Sequence, residues 1–245
     1  MSKYFEYFPK VNYKFGDEVG SVAFDNLSVY VDVFDRLQDI VTSYNYINIL
    51  DGDRPDTLSY KLYGTGDYHW TFFYMNNHLR ESGWPLSYQD AYEHSLEFYP
   101  NWYVRTKTPF HLAGNHTFRV GQTVTGRISG TVGTVVRKDP DVGQVIISAT
   151  DNFNEGELIY YTPDDGVDIE LLVHAQGREY NGIHHIENSS GEWVDIDPST
   201  QSIGVNTIVT FQDHLINTNE ANKKIKIIAP DQIGSVISAF RKYVS

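Results

Sequence analysis

The chain has 245 residues, 40% of them hydrophobic and 21% charged, with a formal net charge of −13 and no cysteine. That is enough apolar chain for one large domain or two small ones, and it sets aside wholesale disorder, disulfide scaffolding, thiol catalysis and cysteine-ligated zinc. The acidity argues against nucleic acid and anionic membrane as partners, because a phosphate-backbone binder needs a basic surface. The N-terminus has no basic region followed by an apolar run, so no secretory signal is expected, and no apolar run approaches the ~18 residues of a membrane span.

Tyr4, Phe5, Tyr7, Phe8, Tyr13 and Phe15 cluster around Pro9. The proline disfavours a helix, so an extended aromatic arm is expected, which packs on its own domain or reaches a neighbour. A strand over 27–33 and a helix running to Ser43 follow. Tyr46, Ile47, Ile49 and Leu50 read as a strand, and Asp51-Gly52-Asp53 as a turn. Pro55 suits the first position of a helix, Asp56 its first turn, and Gly64 its end. Leu58 and Leu62, four apart, share a face of that helix. Asp67 is the expected cap of a second helix with Trp70, Phe73 and Tyr74 as its apolar stripe and Asn76 as its stop.

Ser87 is the expected N-cap of a helix carrying Tyr88, Ala91, Tyr92, Ser95 and Leu96, stopped by Pro100. Residues 101–109 read as an aromatic connector. Trp84, Tyr88, Tyr99 and Trp102 would line a sugar groove, form a partner interface, or belong to the core. From Phe118 glycine, threonine and valine dominate, and short strands are expected at 118–120, 123–125, 133–137, 144–148 and 158–161. Asp139-Pro140-Asp141-Val142-Gly143 is a hairpin loop. Gly126, Gly130 and Gly133 read as bends in curved strands, since the Gly-Lys-Ser/Thr of a phosphate loop is absent. The β pattern extends through 166–175, 182–186 and 192–196, and 199–206 reads as a return linker. Lys223 to Ile228 alternates as a half-exposed strand. Ile233, Val236, Ile237, Phe240 and Val244 then make an amphipathic helix.

The Ile47–Asn77 stretch resembles the LysM module, a small β-α-α-β unit. Gly52-Asp53, Leu58, Tyr63-Gly64 and Asn76 match its motif. The expected module core is Leu58, Leu62, Gly64, Trp70, Phe73 and Asn76. The usual second strand does not follow; residues 78–84 stand in its place. Around this core, the aromatic run from Tyr4 to Asp17, the phrase Trp84-Pro85-Leu86-Ser87-Tyr88 and the segment Asn222–Pro230 with its terminal helix look like the small baseplate wedge subunit of T-even-type contractile-tailed bacteriophages. The resemblance covers residues 1–110 and 205–245. The resemblance says nothing about the stretch between, whose short strands and turns read as a small barrel or sandwich. Together the two readings give an expected α+β fold in three parts: an arm and LysM-like core with flanking helices (1–111), an inserted all-β barrel or sandwich-like unit (112–204), and a strand and helix returning to the core (205–245).

The resemblance implies a structural, non-enzymatic role in a virion tail baseplate, assembled in the host cytoplasm, joining other wedge proteins and bridging adjacent wedges around a six-fold hub. Tyr4, Phe5, Phe8, Trp84, Tyr88, Trp102 and Phe240 are the candidate partner-interface residues. A glycan-binding LysM protein and a tail-associated wall hydrolase are the rival readings.

His184-His185-x-Glu187 invites a metal reading, but in a regular strand adjacent histidines point to opposite faces and do not converge on one ion. Asp51 with Asp53, and Asp164 with Asp165, lack the ligand series of a calcium loop. Asp195 and Asp197 could mimic paired carboxylates, as chance allows among thirty-two acidic residues. No catalytic residue, cofactor or metal ligand is therefore expected.

Overall fold

The computed structural model describes residues 9–16, 20–26, 44–107, 118–163, 166–195 and 205–244. Tyr4, Phe5, Tyr7, Phe8 and the elements expected within 27–43 lie outside the described residues. In chain order the elements are β1 (Lys10–Tyr13), β2 (Val22–Asp25), β3 (Tyr44–Asn48), α1 (Pro55–Tyr63), α2 (Trp70–Met75), α3 (Asn77–Ser82), α4 (Tyr88–Phe98), β4 (Trp102–Arg105), β5 (Thr123–Gly126), β6 (Val132–Asp139), β7 (Gln144–Ala149), β8 (Leu158–Tyr161), β9 (Ile169–Leu172), β10 (Ala175–Arg178), β11 (Ile183–Glu187), β12 (Thr207–Thr210), α5 (Phe211–Asn222), β13 (Lys224–Ile228) and α6 (Ile233–Val244). The fold is of the α+β class. It divides into two compact units, Met1–Tyr88 with Asn219–Ser245, and Gln89–Thr218.

In the first unit the strand missing after α2 is supplied from far along the chain. β13 pairs antiparallel with β3, from Lys224 opposite Asn48 to Ile228 opposite Tyr44. Ile225 and Ile227 turn inward and are fully buried, while Lys226 Nζ lies 3.6 Å from the Tyr44 ring. The β-α-α-β order is thus complete, with 89–218 inserted before its last strand. Asn76 fastens the closure. Its side-chain amide donates to Lys226 O at 2.7 Å and to Phe72 O at 2.8 Å, and its Oδ1 accepts from Lys226 N–H at 2.8 Å.

α1 starts as expected at Pro55, with Thr57 Oγ1 accepting from the Arg54 N–H at 3.0 Å, and it ends at Gly64 with φ 74°. Such a positive φ suits glycine because it has no Cβ. The second helix departs from expectation. A 3₁₀ turn, Gly66–Tyr68, is capped by Thr65, and α2 has only six residues. Its deepest residue is Phe72, with Trp70 and Phe73 half-buried, because α2 is packed on two sides. Phe72 joins Ile49, Leu58, Leu79, Ile225 and Ile227, whereas Trp70 and Tyr74 join Ile228, Ile233, Val236, Ile237 and Phe240 of the other cluster.

Two interface candidates are therefore packed within their own unit, Phe240 buried and Trp84 half-buried. Phe240 is 2% exposed and its ring centroid sits 4.5 Å from that of Trp70. α6 has found its hydrophobic partner on its own unit. Trp84 packs on Phe72 and Phe73, and its indole N–H donates to Asp53 O at 2.7 Å.

The second unit is built on seven antiparallel strands in the order β10-β4-β7-β6-β5-β8-β9. β9 and β10 are opposite edges of this sheet, yet only Val173 and His174 separate them. Three residue steps reach at most about 11 Å. Six strand spacings would place the edges of a flat sheet about 29 Å apart. The sheet must therefore roll into a barrel, with β9 and β10 acting as one bent strand that closes it. The junction keeps its hydrogen bonds: Val173 N–H donates to Glu157 O and His174 N–H to Arg105 O. Val104, Val124, Val135, Val145, Ile147, Ile159 and Leu171 fill the interior with Phe118 and Phe153.

Gly133 permits that curvature, since a Cβ there would come within 2.5 Å of the Ile147 side chain. Glu157, almost fully buried, holds one turn of the rim. Its carboxylate accepts from the N–H groups of Ile128 and Ser129 and from Ser129 Oγ, each at 2.9 Å, and from the Asn154 N–H.

This unit begins earlier and ends later than the 112–204 expected. The supposed connector 101–109 contains β4, which pairs with both β7 and β10. β12 pairs with β11. Phe118–Val120 is no strand, although Phe118 is fully buried. The segment from Glu192 makes a single bridge, Trp193 to Glu187.

Phe240→Ala should lower the stability of the first unit by about 3–5 kcal/mol, the usual range for emptying a large aromatic site. Asn76→Ala should cost on the order of 2 kcal/mol, because it strands buried peptide groups. Denaturant unfolding of both variants checks these values.

Burial works against the charge of Glu157, but its hydrogen-bond donors outweigh that and hold the carboxyl below its ordinary 4.5. A depressed carboxyl contributes stability that is fully present above the unfolded pKa and is lost as pH falls through the folded one. Acid unfolding of the wild type should therefore steepen below about pH 4.5, and Glu157→Gln should be less stable at neutral pH with a flatter acid slope.

Candidate metal centre

Beside the barrel, in the second unit, lies the β11–β12 pair. Gln144, fully buried at the start of β7, sets the position of β11. Its Nε2 donates to Ile183 O at 3.0 Å and its Oε1 accepts from Ile183 N–H at 2.9 Å, so the side-chain amide pairs as a strand residue would. α5 is launched by a reciprocal cap: Asp213 N–H donates to Thr210 Oγ1 at 3.1 Å, and Thr210 N–H donates to Asp213 Oδ2 at 3.0 Å. The first turn of α5 then carries His214.

Regular alternation would separate His184 from His185. The register instead slips between Ile183 and His185, which face Thr210 and Val209, so His184 is the extra residue of a bulge. Bulges re-aim side chains. Here the Nδ1 atoms of His184 and His185 come to 2.7 Å, and the His214 ring stacks on that of His184 with centroids 3.8 Å apart at 11°. One ring nitrogen from each of His184, His185 and His214 falls within 4.8 Å of the others.

Their surroundings are ordered. His185, 7% exposed, has its Nε2 2.7 Å from Glu187 Oε1. A carboxylate accepts, so this nitrogen carries the proton and Nδ1 turns its lone pair toward His184. Trp193 stacks on the outer side of His185 at 4.1 Å. The site opens into a cavity of about 390 Å³, whose lining includes His184, His185 and Trp193 with the carboxylates Asp141 and Asp195. Burial, then the neighbouring His214 and His185, push the His184 imidazole down to about 4. Burial and His185 also lower His214. Both rings are thus neutral at pH 7, the form that ligates metals.

The expectation that no metal ligands converge rested on strand alternation, and the bulge removes that premise. His214 was not anticipated. The signal for its helix was in the sequence, as Thr210-x-x-Asp213 ahead of an apolar run, but its meeting with β11 is a tertiary event.

The remaining interface candidates fare differently. Tyr88 is exposed at the start of α4. Trp102, in β4, is half-buried under the Arg178 guanidinium at 3.8 Å, with its indole N–H donating to Ala149 O. No helix among the described residues is long and apolar enough to cross a membrane. No protein-family model matches the chain, and no curated protein matches it.

The titration of His184 has a definite sign. Below the ordinary 6.5 the unfolded chain takes up a proton that the folded site refuses until about 4. Stability is therefore full above about pH 6.5 and declines as pH falls toward 4. The groups acting on this ring are His185, His214, Arg137 and Asp139. An imidazole NMR titration should show one histidine changing charge near pH 4, and His184→Gln should flatten the loss of stability between those limits.

Proposed function

We propose that the chain is a non-enzymatic assembly subunit of a contractile phage tail baseplate wedge, joining other wedge proteins and bridging adjacent wedges around a six-fold hub. The ordered phrases around the LysM-like core support this reading, and one structural observation carries it. The β1–β2 hairpin pairs Lys10 with Asp25 through Tyr13 with Val22. Every residue of β1 and three of the four in β2 are exposed. Val11, Tyr13, Phe15, Val22 and Phe24 nevertheless present large apolar side chains, 46–56% exposed. Phe15 stands edge-on to both Tyr13 and Phe24, with centroids 4.9 and 5.9 Å away.

A two-stranded hairpin is marginally stable in water by itself. One that turns aromatics outward gains most when a partner covers them, and buried aromatics dominate binding energy at protein interfaces. An assembly subunit needs such a surface.

Co-expression with the other wedge proteins of a contractile-tailed phage, followed by affinity capture, tests the reading. The wild type should retain at least one wedge protein. Tyr13→Ser with Phe24→Ser should reduce its recovery about tenfold or more while the melting temperature stays within about 2 °C, since both side chains are already solvent-exposed. Capture of peptidoglycan instead of a wedge protein would favour the glycan-binding alternative, and turnover of cell wall the hydrolase.

A further inference from the structure

We infer that His184, His185 and His214 form a binding site for one divalent first-row transition ion, with Zn²⁺ as the reference ligand, and that Glu187 is a positioning residue for His185. This site lies in the second unit and does not depend on the assembly reading.

Three features support it together. The first is convergence. Three imidazoles, from a strand bulge and from the first turn of α5, bring one nitrogen each within 4.8 Å. At metal–nitrogen distances of about 2.0–2.1 Å, tetrahedral ligand nitrogens lie about 3.4 Å apart. The 2.7 Å between the Nδ1 atoms of His184 and His185 needs to open only slightly. His214 must turn out of its stack on His184, and half-exposure at the start of α5 leaves it room to do so.

The second feature is orientation. Metal-bound histidines characteristically donate their other N–H to a carboxylate, which fixes tautomer and ring angle. Glu187 occupies that place on His185, at 2.7 Å from Nε2. The lone pair of His185 Nδ1 accepts the N–H of His184 at 2.7 Å. The ion replaces that hydrogen bond once the His184 proton moves to its Nε2.

The third feature is access. The cavity at His184 and His185 is about 390 Å³, and Asp141 and Asp195 line it. These carboxylates attract a cation and leave room for water or a further oxygen ligand beyond the three nitrogens. A three-imidazole donor set suits Zn²⁺, Co²⁺, Ni²⁺ and Cu²⁺, and disfavours Ca²⁺ and Mg²⁺, which take oxygen ligands.

The test uses the full chain, stripped with a chelator and then titrated at pH 7 with ZnCl₂ by calorimetry, with MgCl₂ as the control. The expected result is one Zn²⁺ per chain with micromolar or tighter affinity, no Mg²⁺ binding, and a Zn²⁺-dependent rise in melting temperature. His214→Gln and His184→Gln should each weaken binding at least a hundredfold. Glu187→Gln should weaken it about 10–100-fold, the range for an outer-shell partner, while leaving the stoichiometry at one. Because a histidine variant could also disturb folding, Cu²⁺ loaded on the wild type supplies an independent reading: its electron paramagnetic resonance should show three coupled imidazole nitrogens. Zn²⁺ affinity in the millimolar range, one or no coupled nitrogen, or full affinity retained by folded His214→Gln would each overturn the assignment.

Discussion

Side-chain amides that pair as peptide groups hold this chain together at joints far apart in sequence. Asn76 donates to the carbonyl of Lys226 and accepts from its N–H, across 150 residues. Asn219 does the same to Leu86, accepting from its N–H at 2.8 Å and donating to its carbonyl at 3.0 Å. Gln144 repeats the arrangement with Ile183. An Asn or Gln amide has one acceptor and donors on the other side, the same sequence of groups that a neighbouring strand offers. Each therefore extends strand-like pairing to a point where no regular strand could be fitted.

The need for such joints follows from connectivity. Bringing together ends some 150 residues apart costs about 4–5 kcal/mol of loop-closure entropy if the intervening chain is flexible. Residues 89–218 fold as their own unit, and that folding removes much of the flexibility. Leu86 and Asn219, where the chain leaves and re-enters the first unit, are pinned to each other. Lys223 adds an ionic tie at the same place, reaching Asp51 and Glu220 at 2.5 Å. Burial disfavours its ammonium, but hydrogen bonds to these two carboxylates raise its pKa above the ordinary value. β13 is then delivered to β3 in register, and the isoleucines that alternate along it complete a core begun by α1 and α2.

What could be read from sequence follows the range of the forces involved. Helix boundaries at Pro55 and Gly64, the 139–143 hairpin and the apolar stripe of α6 depend on residues a few positions apart, and all are legible. The barrel was legible as a class, because short strands with turn residues between them carry local signals. β4 was not. Trp102-Tyr103-Val104-Arg105 is a brief aromatic run after a proline, and only its pairing with β7 and β10 makes it a strand. Phe240 shows the same limit from another side. Amphipathicity reveals that a helix has a face to bury, and says nothing about whether the partner is its own unit or another chain. The histidine site was hidden twice: a one-residue bulge reversed the direction of His184, and His214 arrives from a helix some thirty positions on.

The absence of cysteine gives these observations a common logic. A two-stranded pair such as β11–β12 lies outside the closed barrel and has few ways to resist fraying. A disulfide between β11 and α5 would be the usual staple in an oxidising compartment. This chain uses Gln144 at one end, the Thr210–Asp213 cap at the turn into α5, and stacked rings of His184, His214, His185 and Trp193 across the remaining gap. An ion held by β11 and α5 together would act where those weaker ties are concentrated. It would bind the folded arrangement and not the open chain, so its binding free energy would appear directly as stability of this corner. That makes the inferred centre a cross-link by its placement, whatever further ligand its open side admits.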